Sequence, residues 1–204
     1  MTRRMATLDP KRPARERAEV RRRAELIGAT IAEIGATGTL DVTVGRIAKR
    51  AGISPALAFH YFGDKESLFL AAMRDLLTGY GRDVRRALAG ARGPEARVEA
   101  IVRAGFSPAN FEKEAVAAWL NFYVLAQRMP AAKRLLAIYR RRLGANLAHA
   151  LRPALGDAAP GAAERLAGLI DGLYLHAALD VETSAEAAVR HTLAALYREL
   201  KEAA

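Results

Sequence analysis

The chain has 204 residues, about half of them apolar, enough for a small domain beside a larger one with a real core. Its 32 Lys and Arg against 22 Asp and Glu leave a formal charge of +10, which calls for an anionic partner: nucleic acid first, a membrane surface second. With no cysteine there are no disulfides or thiolate metal sites, and no apolar run reaches the length of a membrane span.

Few aromatics, scarce β-branched runs and abundant Ala and Leu predict an all-α fold. Residues 1–14 read as a flexible basic arm. Its Arg3, Arg4, Lys11 and Arg12 either reach phosphates or a minor groove, or merely aid solubility. The start lacks the apolar stretch of a secretory signal. Asp9, Glu16, Glu19 and two prolines speak against an organelle transit peptide, so a cytoplasmic protein is expected.

A first helix is predicted over roughly Arg15 to Ala36, with Ala24, Ile27, Gly28, Ile31 and Ile34 inward and Arg21, Arg22 and Arg23 largely outward. Gly35 to Asp41 reads as a turn-rich link. Thr43 then caps a short helix whose Val44, Ile47, Ala48 and Ala51 share one face. Gly52 ends it, Ile53 plugs the corner, Ser54 caps the next helix and Pro55 takes its first position. Ala58 and Tyr61 turn toward the first short helix, while Ala56, Leu57, Phe59 and His60 have no evident reason to be buried. This is the anatomy of a helix-turn-helix whose second helix enters a DNA major groove. Thr43, Tyr61 and Lys65 are the expected phosphate contacts, Tyr61 with its ring inside and its hydroxyl toward the backbone. His60 is the expected hydrogen-bonding reader of base edges.

Asp64 caps a long helix from Lys65 to about Ala89 that carries Leu68, Phe69, Ala72, Leu76 and Tyr80 on one side. Further helices are predicted at Pro94–Phe106, near Asn110, and at Ala115–Gln127, Ala131–Leu151, Ala162–Leu179 and Ala185–Glu202. Arg152-Pro153 and Gly156 to Gly161 act as breaks, and Thr183 with Glu186 forms a capping box for the last helix. The domains expected are therefore the arm at 1–14, a DNA-binding domain at 15–64, and a ligand-binding and dimerisation domain at 65–204.

Trp119, Phe122 and Tyr123 share one helical face, with Phe106 and Phe111 upstream and Tyr174 on a later helix, one turn beyond Asp171. Such a stripe is either core or an aromatic box for a desolvated cation. Asp171 needs a partner, either an arginine among Arg140 to Arg142 or Arg165, or a cationic ligand. Gly168 and Gly172 permit close helix approach. With Leu169, Leu173, His176, Leu179, Leu193 and Leu196 they are the candidate dimer interface, against ordinary packing within one chain.

Enzyme patterns are missing. No histidine lies three residues after a glutamate, and there is no phosphate-cradling glycine loop or nucleophile elbow. His149 and His176 read as partly buried packing or interface residues. No catalytic residue, metal site or cofactor is expected. The rival classes are an all-α enzyme and a basic helical adaptor that binds DNA non-specifically.

The set Thr43, Ile47-Ala48, Ala51-Gly52-Ile53-Ser54, Tyr61-Phe62, Lys65-Glu66 and Leu68 resembles the amino-terminal signature of the TetR family of bacterial transcriptional regulators. The segments AVAAWLNFYVLA, IYRRRLGANLAHALR and GLIDGLYLHAAL are similar to one branch, the choline-responsive repressors of glycine betaine synthesis. The resemblance covers most of residues 17 to 200. It implies a homodimer formed through the last two helices, a palindromic double-stranded DNA operator, and repression relieved by choline or another quaternary ammonium compound. It also implies Trp119, Tyr123 and Tyr174 as ring contacts and Asp171 as charge partner. Tyr123 and Tyr174 stand where the branch usually has Trp. A TetR-type regulator of an efflux or catabolic operon is the alternative.

Overall fold

The computed structural model describes residues 14–179 and 184–202, and every regular element among them is helical. Arg3, Arg4, Lys11, Arg12 and Thr183 lie outside the described residues. The helices are α1 (Ala14–Thr37), α2 (Val44–Arg50), α3 (Pro55–Phe62), α4 (Lys65–Gly90), α5 (Pro94–Gly105), α6 (Pro108–Phe111), α7 (Lys113–Arg128), α8 (Pro130–Leu155), α9 (Ala159–Ala178) and α10 (Ala185–Glu202).

The ends form for the reasons the residues give. Thr43, Ser54 and Asp64 each accept a backbone N–H three residues on, from Arg46 at 3.2 Å, Leu57 at 3.2 Å and Ser67 at 2.6 Å. Gly52 and Gly63 close α2 and α3 at φ of 68° and 78°, where a side chain would be strained. Ser184 caps α10, its hydroxyl accepting from Ala187 at 3.1 Å.

Three expected boundaries move. The supposed link at Gly35 is helical, since α1 continues to Thr37 before Gly38 turns the chain. Pro153 does not stop α8, which runs on to Leu155. It sits in the last turn, where a proline removes a single hydrogen bond, to the carbonyl of exposed His149. A 3-10 turn at Gly156–Ala158 then leads straight into α9, which starts at Ala159 and carries Pro160 in its first turn.

Two apolar cores organise the molecule. One gathers Tyr80, Val84, Ile101, Phe106, Leu147, Leu166, Leu173 and Leu196 among α4, α5, α8, α9 and α10. The other lies under the helix-turn-helix, with Leu26, Ile34, Ile47, Ala58, Leu68 and Met73, and continues into Trp119, Phe122 and Ala126 of α7 and Ala132 of α8. The inner face of α1 is wider than its periodicity predicts. Leu26, Ala29, Thr30, Glu33 and Gly35 are buried with Ile31 and Ile34, while Ala24, Ile27 and Gly28 are only half-buried. The helix is covered on two sides, by α2 and α4 on one and α7 on the other.

Two contacts fix α1 in place. A Cβ on Gly35 would lie 2.6 Å from backbone atoms of Glu114, so α7 approaches as close as only glycine allows. Glu33 is 4% exposed, and its two oxygens meet Arg46 Nη2 and Arg50 Nε of α2, each at 2.6 Å. The hydrogen bond from Arg50, helped by the charge of Arg46, holds the Glu33 carboxyl below its ordinary value of 4.5, outweighing burial.

Gly35→Ala should push α1 and α7 apart and destabilise the fold by about 1–3 kcal/mol, read as a lower thermal midpoint; an unchanged midpoint would contradict the close approach. Glu33→Gln should cost about 1–2 kcal/mol at neutral pH, toward the low end because both arginines are half-exposed. The native carboxyl titrates below the unfolded one, so its contribution is full above about pH 4.5 and fades as the pH falls through the folded value. Parent and variant stabilities should therefore converge in acid.

Candidate DNA interface and ligand pocket

On the amino-terminal unit, α3 presents Pro55, Ala56, Phe59 and His60 as exposed residues, with Phe59 48% open to solvent. Ser54 and Thr43, at the two helix starts, are exposed as well. Leu57, expected to face outward with them, is half-buried, because a short helix packed over α2 covers one flank of that position. Ala58 is the buried residue of α3. Tyr61 packs its ring against the core beneath and lies beside His60, ring centroids 5.6 Å apart. Lys65, half-buried at the start of α4, places its ammonium 5.4 Å from the Phe69 ring.

The arginine cluster of α1 does not behave as one exposed group. Arg21 and Arg22 pair with Glu25 along the helix, at 3.8 Å and 3.0 Å. Arg23 turns inward. Its Nη1 donates to the Tyr61 carbonyl at 2.6 Å, and its guanidinium lies 4.6 Å from the centroid of the Phe62 ring. Both partners lie at the far end of α3, Tyr61 being 38 residues away along the chain.

The aromatic candidates form two linked groups in the carboxy-terminal part. Phe106 stacks on Tyr174 at 5.5 Å, and Phe111 meets both edge-on at 5.1 Å. Tyr174 also donates its hydroxyl to the Gly105 carbonyl at 2.5 Å. Trp119 faces Tyr139 of α8 at 5.1 Å, and Tyr139 meets Tyr80 of α4 edge-on at 5.5 Å. Phe122 has no exposed surface and belongs to the core beneath the helix-turn-helix. Tyr139 escaped the sequence reading because it lies alone on its helix, beside Arg140 to Arg142. In sequence, Tyr80 carries no more signal than a place on the buried side of a long helix.

Asp171 connects these rings to solvent. Its Oδ1 accepts the Tyr123 hydroxyl at 2.9 Å. It also lines an open groove of about 500 Å³ between α8 and α9, together with Arg140, Arg141, Gly144 and Gly168. Burial pushes the Asp171 carboxyl up from its ordinary value, opposed by the Tyr123 hydrogen bond and the Arg140 charge. Burial and the same carboxylate raise the phenols of Tyr80 and Tyr123. Arg165, the other expected partner, is taken by Glu199, in two bonds of 2.6 Å.

The candidate interface residues divide. Gly168, His176 and Leu179 are exposed, Leu179 by 63%, while Leu169, Gly172 and Leu193 are half-buried. Leu173 and Leu196 turn inward into the chain's own core, so ordinary packing within one chain accounts for those two. His149, expected to be partly buried, is exposed, as is His176. No group of three or more His, Cys, Asp or Glu positioned for a metal occurs among the described residues. No helix there is long and apolar enough to cross a membrane.

Residues 26–72 match the model for bacterial regulatory proteins of the TetR family, and residues 94–201 match that for the carboxy-terminal domain of BetI-type transcriptional repressors. The chain is 52% identical over 169 residues to an HTH-type transcriptional regulator BetI of Brucella suis, covering 81% of this chain and 85% of that one. It is 47% identical over 173 residues to the regulator of the same name from Rhizobium meliloti, covering 84% and 85%. Among solved structures, a transcriptional regulator from Pseudomonas aeruginosa PAO1 superposes with a TM-score of 0.77 at 26% identity, over 97% of this chain and 95% of that one. One from a Rhodococcus species has the same fold, with a TM-score of 0.80 at 21% identity over 89% and 97%. The chain therefore belongs to the TetR family of bacterial regulatory proteins, and within it to the BetI-type transcriptional repressors.

Proposed function

We propose that this repressor answers to choline or a closely related quaternary ammonium compound and controls glycine betaine synthesis or related genes. The observation that carries the reading is the carboxylate among rings inside the BetI-type domain: Asp171 is bonded to Tyr123, its charge reaches Tyr80, Tyr139 and Tyr174, and Trp119 packs on Tyr139. Ring faces and a part-buried carboxylate suit a cation that cannot donate hydrogen bonds. In this structure the rings rest on one another, so a ligand must part them. Binding then stabilises whichever arrangement leaves them apart.

TetR regulators bind DNA as dimers and respond to small molecules, and this chain shares that mode of action. Residues 15–64 are the proposed DNA-binding domain and 65–204 the proposed effector and dimerisation domain. Thr43, Ser54, Tyr61 and Lys65 hold phosphates, and Ala56, Phe59 and His60 approach base edges in a palindromic operator. Exposed Gly168, His176 and Leu179, with half-buried Leu169, Gly172 and Leu193, form the proposed two-fold interface on α9 and α10. Effector binding releases DNA if it favours a spacing of the two recognition helices that the operator does not fit. Because α7 contributes to both the ring cluster and the core under α2 and α3, a shift at Trp119 reaches the reading head through packed side chains.

Selection of bound duplexes from a random pool, with and without choline, is the direct test. Lys65→Ala should weaken binding to all sequences alike and lower the salt slope by roughly 1, whereas His60→Ala should relax base preference with the slope unchanged; the reverse pattern would refute both assignments. Trp119 is the single tryptophan and packs on Tyr139, so its fluorescence reports the ring cluster directly. Choline should change that emission, and Asp171→Asn should weaken the response about tenfold, or ~1.4 kcal/mol. A protein silent to choline and betaine aldehyde but responsive to bulky apolar drugs would be an efflux-type regulator instead.

A further inference from the structure

The geometry points to Arg23 as a positioning residue for sequence recognition: it anchors the carboxy-terminal end of the recognition helix from α1 and does not itself grip the DNA backbone. An arginine in a basic run at the front of a DNA-binding domain is by default a phosphate contact. Here the side chain is committed elsewhere. Its Nη1 donates to the Tyr61 carbonyl at 2.6 Å, and its guanidinium carbon lies over the Phe62 ring, 4.6 Å from the centroid.

The need for such an anchor follows from the length of α3. The helix has eight residues, little more than two turns, and is too short to hold its own shape. Its start is held by the Ser54 cap. Its last carbonyls have no partner within the helix, and at Gly63 the chain turns away with φ of 78°. The Gly63 N–H satisfies Phe59 at 2.7 Å, and Arg23 takes the Tyr61 carbonyl. A cation at that end also opposes the negative pole of the helix. The residues it steadies are the neighbours of His60, the proposed base reader, whose ring lies against that of Tyr61. A guanidinium holds its donors in one rigid plane and so can meet the carbonyl and the ring in a fixed geometry, whereas an ammonium is a compact, strongly hydrated charge on a flexible stem and holds the same two partners less firmly. The same helix α1 holds α2 through Glu33, so one rigid element orients both halves of the reading head.

This inference rests on the DNA-reading role of α3, and the experiment separates the two. Duplexes selected by the parent protein from a random pool, and scrambled versions of them, are titrated at several salt concentrations with parent, Arg23→Gln and Arg23→Lys. Failure of the parent to enrich any sequence would remove the reading role itself, whatever Arg23 does. If Arg23 is an anchor, both variants lose about tenfold in preference for the selected duplex, because a reader displaced by a fraction of an ångström no longer fits base edges. Their affinity for the scrambled duplex and their salt slopes stay at parent values, which also shows that they remain folded. A phosphate contact predicts the opposite: Arg23→Gln weakens both duplexes equally with a slope smaller by about 0.9, and Arg23→Lys restores binding. That result, or loss of scrambled-duplex binding in either variant, would overturn the assignment.

Discussion

The amino-terminal half depends on one of the two apolar cores, which does not stop where the helix-turn-helix stops. Leu26, Ile34, Ile47 and Ala58 would make a small three-helix cluster by themselves, too small to be stable alone. They become part of something larger because Leu68, Phe69 and Met73 of α4 and Trp119, Phe122 and Ala126 of α7 complete the same packing. Interiors packed to this density do not deform gradually; they change by switching between arrangements. The proposed response to a small molecule needs that property, since the rings and the helix-turn-helix share this core.

Charge is used inside the amino-terminal unit in a way that its basic composition conceals. Three arginines, Arg23, Arg46 and Arg50, are tied to α1 or extend from it to hold α2 and α3. The buried Glu33 carboxylate would be costly alone, and it is tolerable because two guanidiniums meet its two oxygens. The cations that remain free to meet a phosphate backbone are therefore fewer than the count of arginines implies. On the proposed DNA-binding role of α3, backbone N–H groups at helix starts and a few side chains around that helix carry more of that work.

The carboxy-terminal helices show a comparable economy. Phe106, Phe111 and Tyr174 satisfy one another's faces, and Tyr174 anchors its hydroxyl on Gly105. Asp171 stands at the edge of this group, bonded to Tyr123 and reaching the groove between α8 and α9. A carboxylate half out of water, with a phenol as its direct partner and an arginine charge nearby, is the feature on which the proposed cation site rests.

The helix caps at Thr43, Ser54 and Asp64, the glycine stops at Gly52 and Gly63, the exposure of His60 and the buried stripe of α4 were all legible along the chain, because each depends on residues within a turn or two. The same holds for the family signature, which is a set of local offsets. What tertiary structure alone decided are contacts between distant residues: Arg23 on Tyr61 and Phe62, Glu33 between Arg46 and Arg50, Gly35 against Glu114, and Tyr139 facing Trp119. Leu173 and Leu196 looked like interface residues for the same reason: periodicity identifies an apolar face but not which neighbour covers it. Local sequence determines which helices form and where they end, whereas the partner of each face depends on how chain segments dozens of residues apart meet, and no short-range pattern encodes that.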